Sequence, residues 1–171
     1  MKKAWRIFWA GAAAAAAVFA AGCAAENAVV REAQDRAQIE KLMWQYARAL
    51  DTGNAEAYAA TFAEDGQFGR GDNATKGRDA LLAMMGAFRK SPPEGSTENP
   101  QVRQMYHMTA NHWIEFLDRD HAVVHGYWFT YVSAGGQGAQ PSIAGVGREV
   151  NELVRVDGQW LIQVRDVSPQ D

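Results

Sequence analysis

Cysteine is nearly absent from this sequence: Cys23 is the only one in 171 residues. A chain with a single cysteine cannot build an internal disulfide framework, and it has no cysteine or acidic cluster at metal-ligand spacing. The four histidines do not supply a metal site. His121 and His125 are about 13 Å apart on one strand face, and His107 and His112 differ in strand parity. Since no nucleotide-binding fingerprint is present either, the sequence predicts neither a metal nor a cofactor.

Clustered positive charge is also missing beyond the extreme N-terminus. Lys2, Lys3 and Arg6 precede an uncharged apolar run, Ile7–Ala21, that consists mostly of alanine. Removing residues 1–22 would take away these three cations and no acid, so the formal net charge would go from −3 to −6. A domain without a basic patch is unsuited to nucleic acid, which excludes that class of partner.

The N-terminal segment, residues 1–22, has the layout of a secretory signal: a basic start, an apolar run and small residues at its end. The run is shorter than the about 20 residues of a membrane-spanning helix, although a retained anchor helix is the alternative. The segment Ala20-Ala21-Gly22-Cys23 resembles a lipobox, whose cysteine becomes the lipidated first residue of the mature protein. Ordinary cleavage between small residues is the other interpretation. Ala24, rather than Asp, follows the cysteine, and by that resemblance indicates an outer-membrane anchor facing the periplasm.

The remainder of the chain predicts a tether and one domain. Residues 23–33 are small and polar, which is typical of a tether, and residues 34–168 form the domain. Helices are expected at 34–50, from the Asn54 cap to about Ala63, and at 77–89, because apolar residues recur there at helical spacing. The longest apolar stripe belongs to the first helix and comprises Ile39, Leu42, Met43, Tyr46, Ala47 and Leu50.

The second half of the domain changes to strand periodicity after a proline-containing loop at Ser91–Pro100. Alternating apolar residues predict four strands, at about 104–117, 121–133, 143–156 and 159–167, joined by turns at Asp118–Asp120, Ala134–Ser142 and Asp157-Gly158. A short strand at Gln67–Gly69 is also expected. Helices followed by antiparallel strands indicate an α+β fold, in which the strands cover the apolar stripes of the helices.

Several short motifs follow one another in an order that is known from one superfamily. They are Phe62-Ala63-Glu64-Asp65-Gly66, Gly77-Arg78-Asp79-Ala80-Leu81, His107 to Asn111, and the hairpin Glu152 to Trp160 followed by Arg165. Together with the first helix ending at Asp51, they resemble the SnoaL-like branch of the nuclear transport factor 2 superfamily. The resemblance covers residues 34–168. It implies a cystatin-like α+β roll. In such a roll, a curved, barrel-like sheet of antiparallel or mixed strands forms a cone and wraps on the N-terminal helices.

The resemblance also implies a pair of residues for acid–base chemistry. In lindane dehydrochlorinase and scytalone dehydratase, the residue that matches Asp51 pairs with a histidine, which His107 matches here. A carboxylate beside an imidazole fixes its tautomer, so that the pair could accept a proton from carbon, water or a hydroxyl. The simpler interpretation of Asp51 is an Asx turn before Gly53. Strand alternation alone leaves the direction of His107 open, and a bulge near Asn111 would bring His107 and Ile114 to the same side.

Six further residues are candidates for binding a substrate, each with a plainer structural interpretation. Asn111 could donate to an oxyanion or be satisfied by the backbone, and Tyr46 could offer a hydroxyl or pack in the core. Arg155 matches a strand position near the active site of the dehydrochlorinase, but a solvated or ion-paired strand residue is the favoured interpretation. Aromatic side chains of the strands would line a cavity or fill the core: Trp113, Tyr127 and Phe129.

Two functions remain open from the sequence. The first is a cofactor-free lyase, isomerase or cyclase that uses the Asp51–His107 dyad on a small hydrophobic or aromatic substrate. The second is a non-catalytic envelope lipoprotein that binds such a ligand, with the membrane reached only through the lipid on Cys23. Dimers are common in the superfamily and form through the sheet face, so a homodimer is compatible with either function.

Overall fold

The computed structural model describes the backbone of residues 2–90, 104–133 and 140–168, with side chains for 27–87, 105–133 and 140–168. The side chains of Cys23 and Phe88 lie outside the described part, as do the loop at 91–100 and most of the predicted turn at 134–142. Residues 1–37 and 38–171 form two separate units. The described helices include none with the length and apolar character of a membrane span.

The described residues form three α-helices, α1 (Lys2–Thr52), α2 (Ala55–Ala59) and α3 (Arg78–Lys90), and a short 3-10 helix at Gly71–Asn73. The helix α1 is much longer than the predicted 34–50, and it continues through the predicted tether at 23–33. Alanine, the strongest helix former, is abundant in this segment. The helix stops at Gly53, whose φ of 62° is the left-handed conformation that glycine adopts readily. Asn54 then caps α2, as predicted, by accepting a hydrogen bond from the Ala57 amide at 3.0 Å.

In the part of the chain that the structure describes, six strands form one sheet in the order β2-β1-β6-β5-β4-β3. Their bounds are β1 (Phe62–Phe68), β2 (Thr75–Lys76), β3 (Gln104–Phe116), β4 (His121–Ser133), β5 (Ser142–Val156) and β6 (Gln159–Asp166). The pairing of β1 with β6 is parallel and all others are antiparallel. The predicted α+β fold with an open, curved, mixed sheet is therefore confirmed, and the four long strands lie within two residues of their predicted bounds.

The short elements near α2 differ from the prediction. The strand β1 begins at Phe62, where a helix was expected to continue to Ala63, because Phe62 pairs with Ile162 in the parallel ladder. The two-residue strand β2 was not predicted, since it is too short to show a periodicity.

One hydrophobic core joins the second half of α1 to α2, α3 and the sheet. Its fully buried members include Ile39 from α1, Tyr58 from α2, Leu81 from α3, and Val124 and Ile162 from the sheet. The predicted stripe of α1 supplies Ile39, Leu42 and Tyr46 to this core, as helical spacing requires.

A bulge in β3 decides which side chains of that strand face the core. The register shifts between Ala110, which pairs with Tyr127, and Trp113, which pairs with His125, so two residues of β3 stand opposite Gly126. Asn111 lies in the bulge with φ of 54°. Because of the extra residue, His107 and Ile114 share one face of the sheet, as the sequence analysis anticipated for a bulge at this position.

Candidate active site

The side chains of Asp51 and His107 are in contact. Asp51 is one residue from the end of α1, and its Oδ1 accepts a hydrogen bond from the backbone N–H of His107 at 2.8 Å. The same Oδ1 lies 2.8 Å from Nδ1 of the His107 ring. A carboxylate is unfavourable at the C-terminus of a helix, because the helix dipole is negative there. The two hydrogen bonds from β3 offset this cost and fix the rotamer of each side chain.

The hydrogen bond to Asp51 leaves one ring nitrogen of His107 available. When Asp51 is ionised, Nδ1 must carry the proton that is shared with Oδ1, so Nε2 holds the lone pair. Among the described residues, Nε2 has no hydrogen-bond partner. The ring is 18% exposed, and Asp51 is 14% exposed, so the pair is partly shielded from water but still accessible.

A cavity of about 270 Å³ lies beside this pair. His107 lines it together with Tyr46 and Phe129, two of the predicted binding residues. Most of the remaining wall is apolar and comes from α1, α3 and the strands: Ala47, Leu50, Phe68, Met84, Met85, Met108, Trp128 and Val167. The polar lining groups that the sequence analysis did not single out are Tyr58, Thr109, Thr130 and Arg165.

Arg165 is the buried charge of this cavity. Its side chain is 3% exposed, and its guanidinium lies 2.6 Å from Oε2 of Glu149 and donates to Oδ1 of Asn151 at 2.8 Å. The guanidinium carbon also stands 4.4 Å from the centre of the Tyr46 ring. Burial by itself disfavours the charge, but Tyr46 and Glu149 outweigh burial, so the pKa of Arg165 is raised and the group stays cationic.

Tyr58 is a neutral polar group in the same wall. Burial raises the pKa of its phenol well above the ordinary value, Tyr46 adds to the rise, and Arg165 opposes it. The rings of Tyr46 and Tyr58 are 5.2 Å apart and tilted, which places the two aromatic groups side by side in the wall. This part of the cavity therefore combines one cation with phenol groups in an otherwise apolar surface.

Four predicted binding residues lie away from this cavity. Asn111 is exposed at the bulge of β3, and Trp113 is 60% and Tyr127 45% exposed on the outer face of the sheet. Trp113 stacks on His125 with ring centres 4.9 Å apart. Their predicted roles in substrate binding remain predictions.

Arg155, the fourth, lies close to the turn between β5 and β6. Its Nε is 3.6 Å from Oδ1 of Asp120, and its guanidinium stands 4.6 Å from the centre of a Trp160 ring. The ion pair and the ring contact are what we expect if Arg155 is an ion-paired strand residue.

Arg165 has a weak signal in the sequence, and Trp128 has none. Arg165 occurs as the late arginine of the family pattern, but its burial depends on Glu149 and Asn151 from the neighbouring strand β5. Trp128 is one of several aromatic residues in β4, and only the register shows that it faces the cavity. In the described residues, no three His, Cys, Asp or Glu side chains are grouped to hold a metal ion.

Comparison with known proteins identifies the same domain. A family model described as a SnoaL-like domain matches residues 31–166. A solved protein of unknown function from Mycobacterium tuberculosis is 26% identical, with a TM-score of 0.63, over 80% of this chain and 76% of that one. A Novosphingobium aromaticivorans protein provisionally named a scytalone dehydratase is 25% identical, with a TM-score of 0.62, over 82% and 87%.

A third structure is similar in fold. It is a Catenulispora acidiphila protein in complex with S-DNPA, 24% identical with a TM-score of 0.63, over 78% of this chain and 91% of that one. A search of curated proteins finds no match.

Proposed function

Since the chain belongs to the SnoaL-like domain family, we propose that its cavity binds a small apolar molecule and that His107 and Asp51 move a proton on it without a cofactor. The observation that supports this most directly is the 2.8 Å contact between Nδ1 of His107 and Oδ1 of Asp51 at the cavity wall. It orients the ring with the lone pair of Nε2 away from Asp51.

The proposed chemistry is general base catalysis followed by return of the proton. Nε2 of His107 takes a proton from carbon or a hydroxyl of the substrate, and the imidazolium that results is stabilised by the carboxylate of Asp51. The same nitrogen then gives the proton to a leaving hydroxyl or to another carbon. Dehydration, elimination, isomerisation and cyclisation each fit this sequence, because each needs a proton moved within a largely apolar site.

Arg165 gives the proposed reaction a second polar group. Its buried Nε has no hydrogen-bond partner in the described part of the chain, although the residue lines the cavity. Removal of a proton next to a carbonyl develops negative charge on oxygen, and a fixed cation in a dry wall stabilises such a charge. Arg165 is thus the proposed anchor for an electronegative oxygen of the substrate.

The catalytic proposal is tested with a panel of hydroxylated one- and two-ring ketones, including scytalone, followed by substitution of the dyad. We expect His107→Ala and Asp51→Asn each to lower kcat by a factor of about 10² to 10⁴. His125→Ala, which changes a histidine on the outer face, is the control and should retain activity. Unchanged turnover in both dyad variants would exclude the proposed role.

Binding without turnover is the second candidate, and the largely apolar wall of the cavity favours it. Native mass spectrometry of the protein from its own host should then show a retained hydrophobic molecule, released in unchanged form. Retention by His107→Ala as well as by the original chain would support this candidate, whereas release of a chemically altered molecule would support catalysis.

Export and lipidation complete the proposal. The basic start, the apolar run and Ala20-Ala21-Gly22-Cys23 support a lipoprotein anchored in the outer membrane and facing the periplasm. Mass spectrometry of the mature N-terminus should find a diacylglyceryl group on Cys23, and Cys23→Ser should release the protein from membranes. A mature chain that begins at a residue other than Cys23 would contradict lipidation.

A homodimer through the outer face of the sheet is also proposed. Neighbouring strands β3, β4 and β5 expose large apolar side chains on this face: Tyr106, Trp113, Tyr127, Ile143 and Val146 are each at least 45% exposed. Such a continuous apolar surface is typical of an interaction site.

A further inference from the structure

The side chain of Trp128 lies over two glycines of the neighbouring strand β5, whose positions carry no side chain to compete for the space. It pairs with Gly147 across β4 and β5, and its indole lies over Gly147 and Gly145. A Cβ atom at position 147 would stand 2.6 Å from the indole nitrogen, and one at position 145 would stand 3.0 Å from the six-membered ring. A side chain at position 147 would therefore force the indole to shift, and one at position 145 would press tightly against it.

Two hydrogen bonds hold the indole in this orientation. Nε1 of Trp128 donates to the carbonyl oxygen of Val167 at 3.1 Å and to that of Arg148 at 3.2 Å. The side chain thus reaches from β4 across β5 to the residue that follows β6. The hydrogen bonds hold the edge of the indole and the glycine backbone contacts its face, so the orientation of the ring is fixed.

The indole borders the cavity that contains His107 and Arg165. The volume of this cavity, about 270 Å³, is just below the about 300 to 1,000 Å³ of typical pockets for drug-sized ligands. Removing the indole would enlarge the cavity over two residues that have no side chains of their own.

We propose that Trp128 sets the size of ligand that the cavity accepts, restricting it to molecules of one or two fused rings and excluding those of three or more. The inference rests on the proposed function only in that the cavity binds a small molecule. It assigns Trp128 as a specificity residue, for which Gly145 and Gly147 provide the space.

The test compares binding of 2-naphthol and 9-phenanthrol to the full chain by isothermal titration calorimetry. The original protein should bind 2-naphthol at least 10-fold more tightly than 9-phenanthrol. Trp128→Ala should bind 9-phenanthrol at least 10-fold more tightly than the original protein does, and Trp128→Phe, which keeps a ring in this place, should restore the discrimination. Trp44→Ala, which removes an exposed indole of α1 that does not line the cavity, is the matched control and should leave both affinities unchanged.

A second variant keeps the inference testable if Trp128→Ala does not fold. Gly147→Ala adds the Cβ that conflicts with the indole, and it should weaken 2-naphthol binding at least 10-fold while circular dichroism shows a folded chain. Equal binding of the two probes by the original protein would overturn the size limit and leave the proposed function intact. Binding of neither probe would overturn the size limit together with the small-molecule site.

Discussion

Glu149 and Arg165 form an ion pair of 2.6 Å in which the carboxylate is fully buried and the guanidinium is 3% exposed. Removing one partner leaves the other as an uncompensated buried charge, which costs about 3 to 5 kcal/mol. We therefore expect Arg165→Met to lower the free energy of unfolding by that amount in urea titrations.

Two companion variants test whether the loss of stability comes from an isolated buried charge. The double variant Glu149→Leu, Arg165→Met should be more stable than Arg165→Met, because no buried charge is left alone. Glu64→Gln removes an ion pair in which the glutamate is 86% exposed, and should change stability by less than about 1 kcal/mol. A loss in Arg165→Met no larger than that in Glu64→Gln would contradict the burial of the pair.

The tautomer of His107 can be observed directly. In the neutral form of the ring, long-range ¹H–¹⁵N NMR spectra should show the proton on Nδ1 and a bare Nε2, because Oδ1 of Asp51 accepts the Nδ1 hydrogen. Asp51→Asn should increase the population of the other tautomer. A spectrum of the original protein with the proton on Nε2 would exclude the lone pair that the proposed mechanism requires.

Tyr58 makes the fold sensitive to alkali. The fold raises the pKa of this phenol above its unfolded value of about 10. The contribution of this pKa difference to the free energy of unfolding is therefore complete below pH 10 and declines as pH rises further. The free energy of unfolding should fall by up to about 1.4 kcal/mol per pH unit above 10 on account of this group. Tyr58→Phe should show a shallower alkaline decline in thermal melts recorded between pH 9 and 11, and an identical slope would refute the assignment.

The bulge in β3 depends on the backbone of Asn111. Its φ of 54° lies in the left-handed region, which asparagine and glycine tolerate but β-branched residues do not. Asn111→Gly should therefore preserve stability, while Asn111→Val should cost about 1 to 2 kcal/mol in chemical denaturation. If Asn111 acts instead as a substrate donor, Asn111→Gly will keep its stability and lose turnover.

Because the outer face of the sheet exposes large apolar side chains, we expect the protein to dimerise as its concentration rises. Trp113→Glu and Val146→Glu introduce charge into this exposed apolar surface and should shift the protein to a monomer in light scattering. Trp44→Glu, which changes a residue of α1 that is 66% exposed, serves as the control. A monomeric original protein at high concentration would rule out the dimer.

Long elements with a clear periodicity were predictable from the sequence. The strands β3 to β6 and the caps at Gly53 and Asn54 follow from alternation and turn chemistry, which act between residues close in the chain. The Asp157-Gly158 turn is a further case, since both residues adopt positive φ, 50° and 79°, as a tight hairpin requires.

The composition of the cavity could not be obtained in the same way. His107 meets Asp51 across 56 positions, and only the bulge at Asn111 brings that ring to the inner face. The burial of Arg165 depends on Glu149, 16 positions earlier in β5, and the placement of Trp128 depends on two glycines across the sheet. These contacts depend on which residues of two strands stand opposite each other. Sequence periodicity indicates which face of a strand is buried but does not specify this register.

The position of β6 has a consequence for assembly of the domain. Among the described strands, β6 (Gln159–Asp166) lies between β1 and β5, and its two pairings link β1 and β2 to β3, β4 and β5. Residues 159–166 are synthesised after the other described strands, so helices and hairpins that form earlier have no complete sheet surface to pack against. The domain is therefore expected to reach its native state only after β6 has left the ribosome, and the part of the sheet made earlier stays incomplete until then.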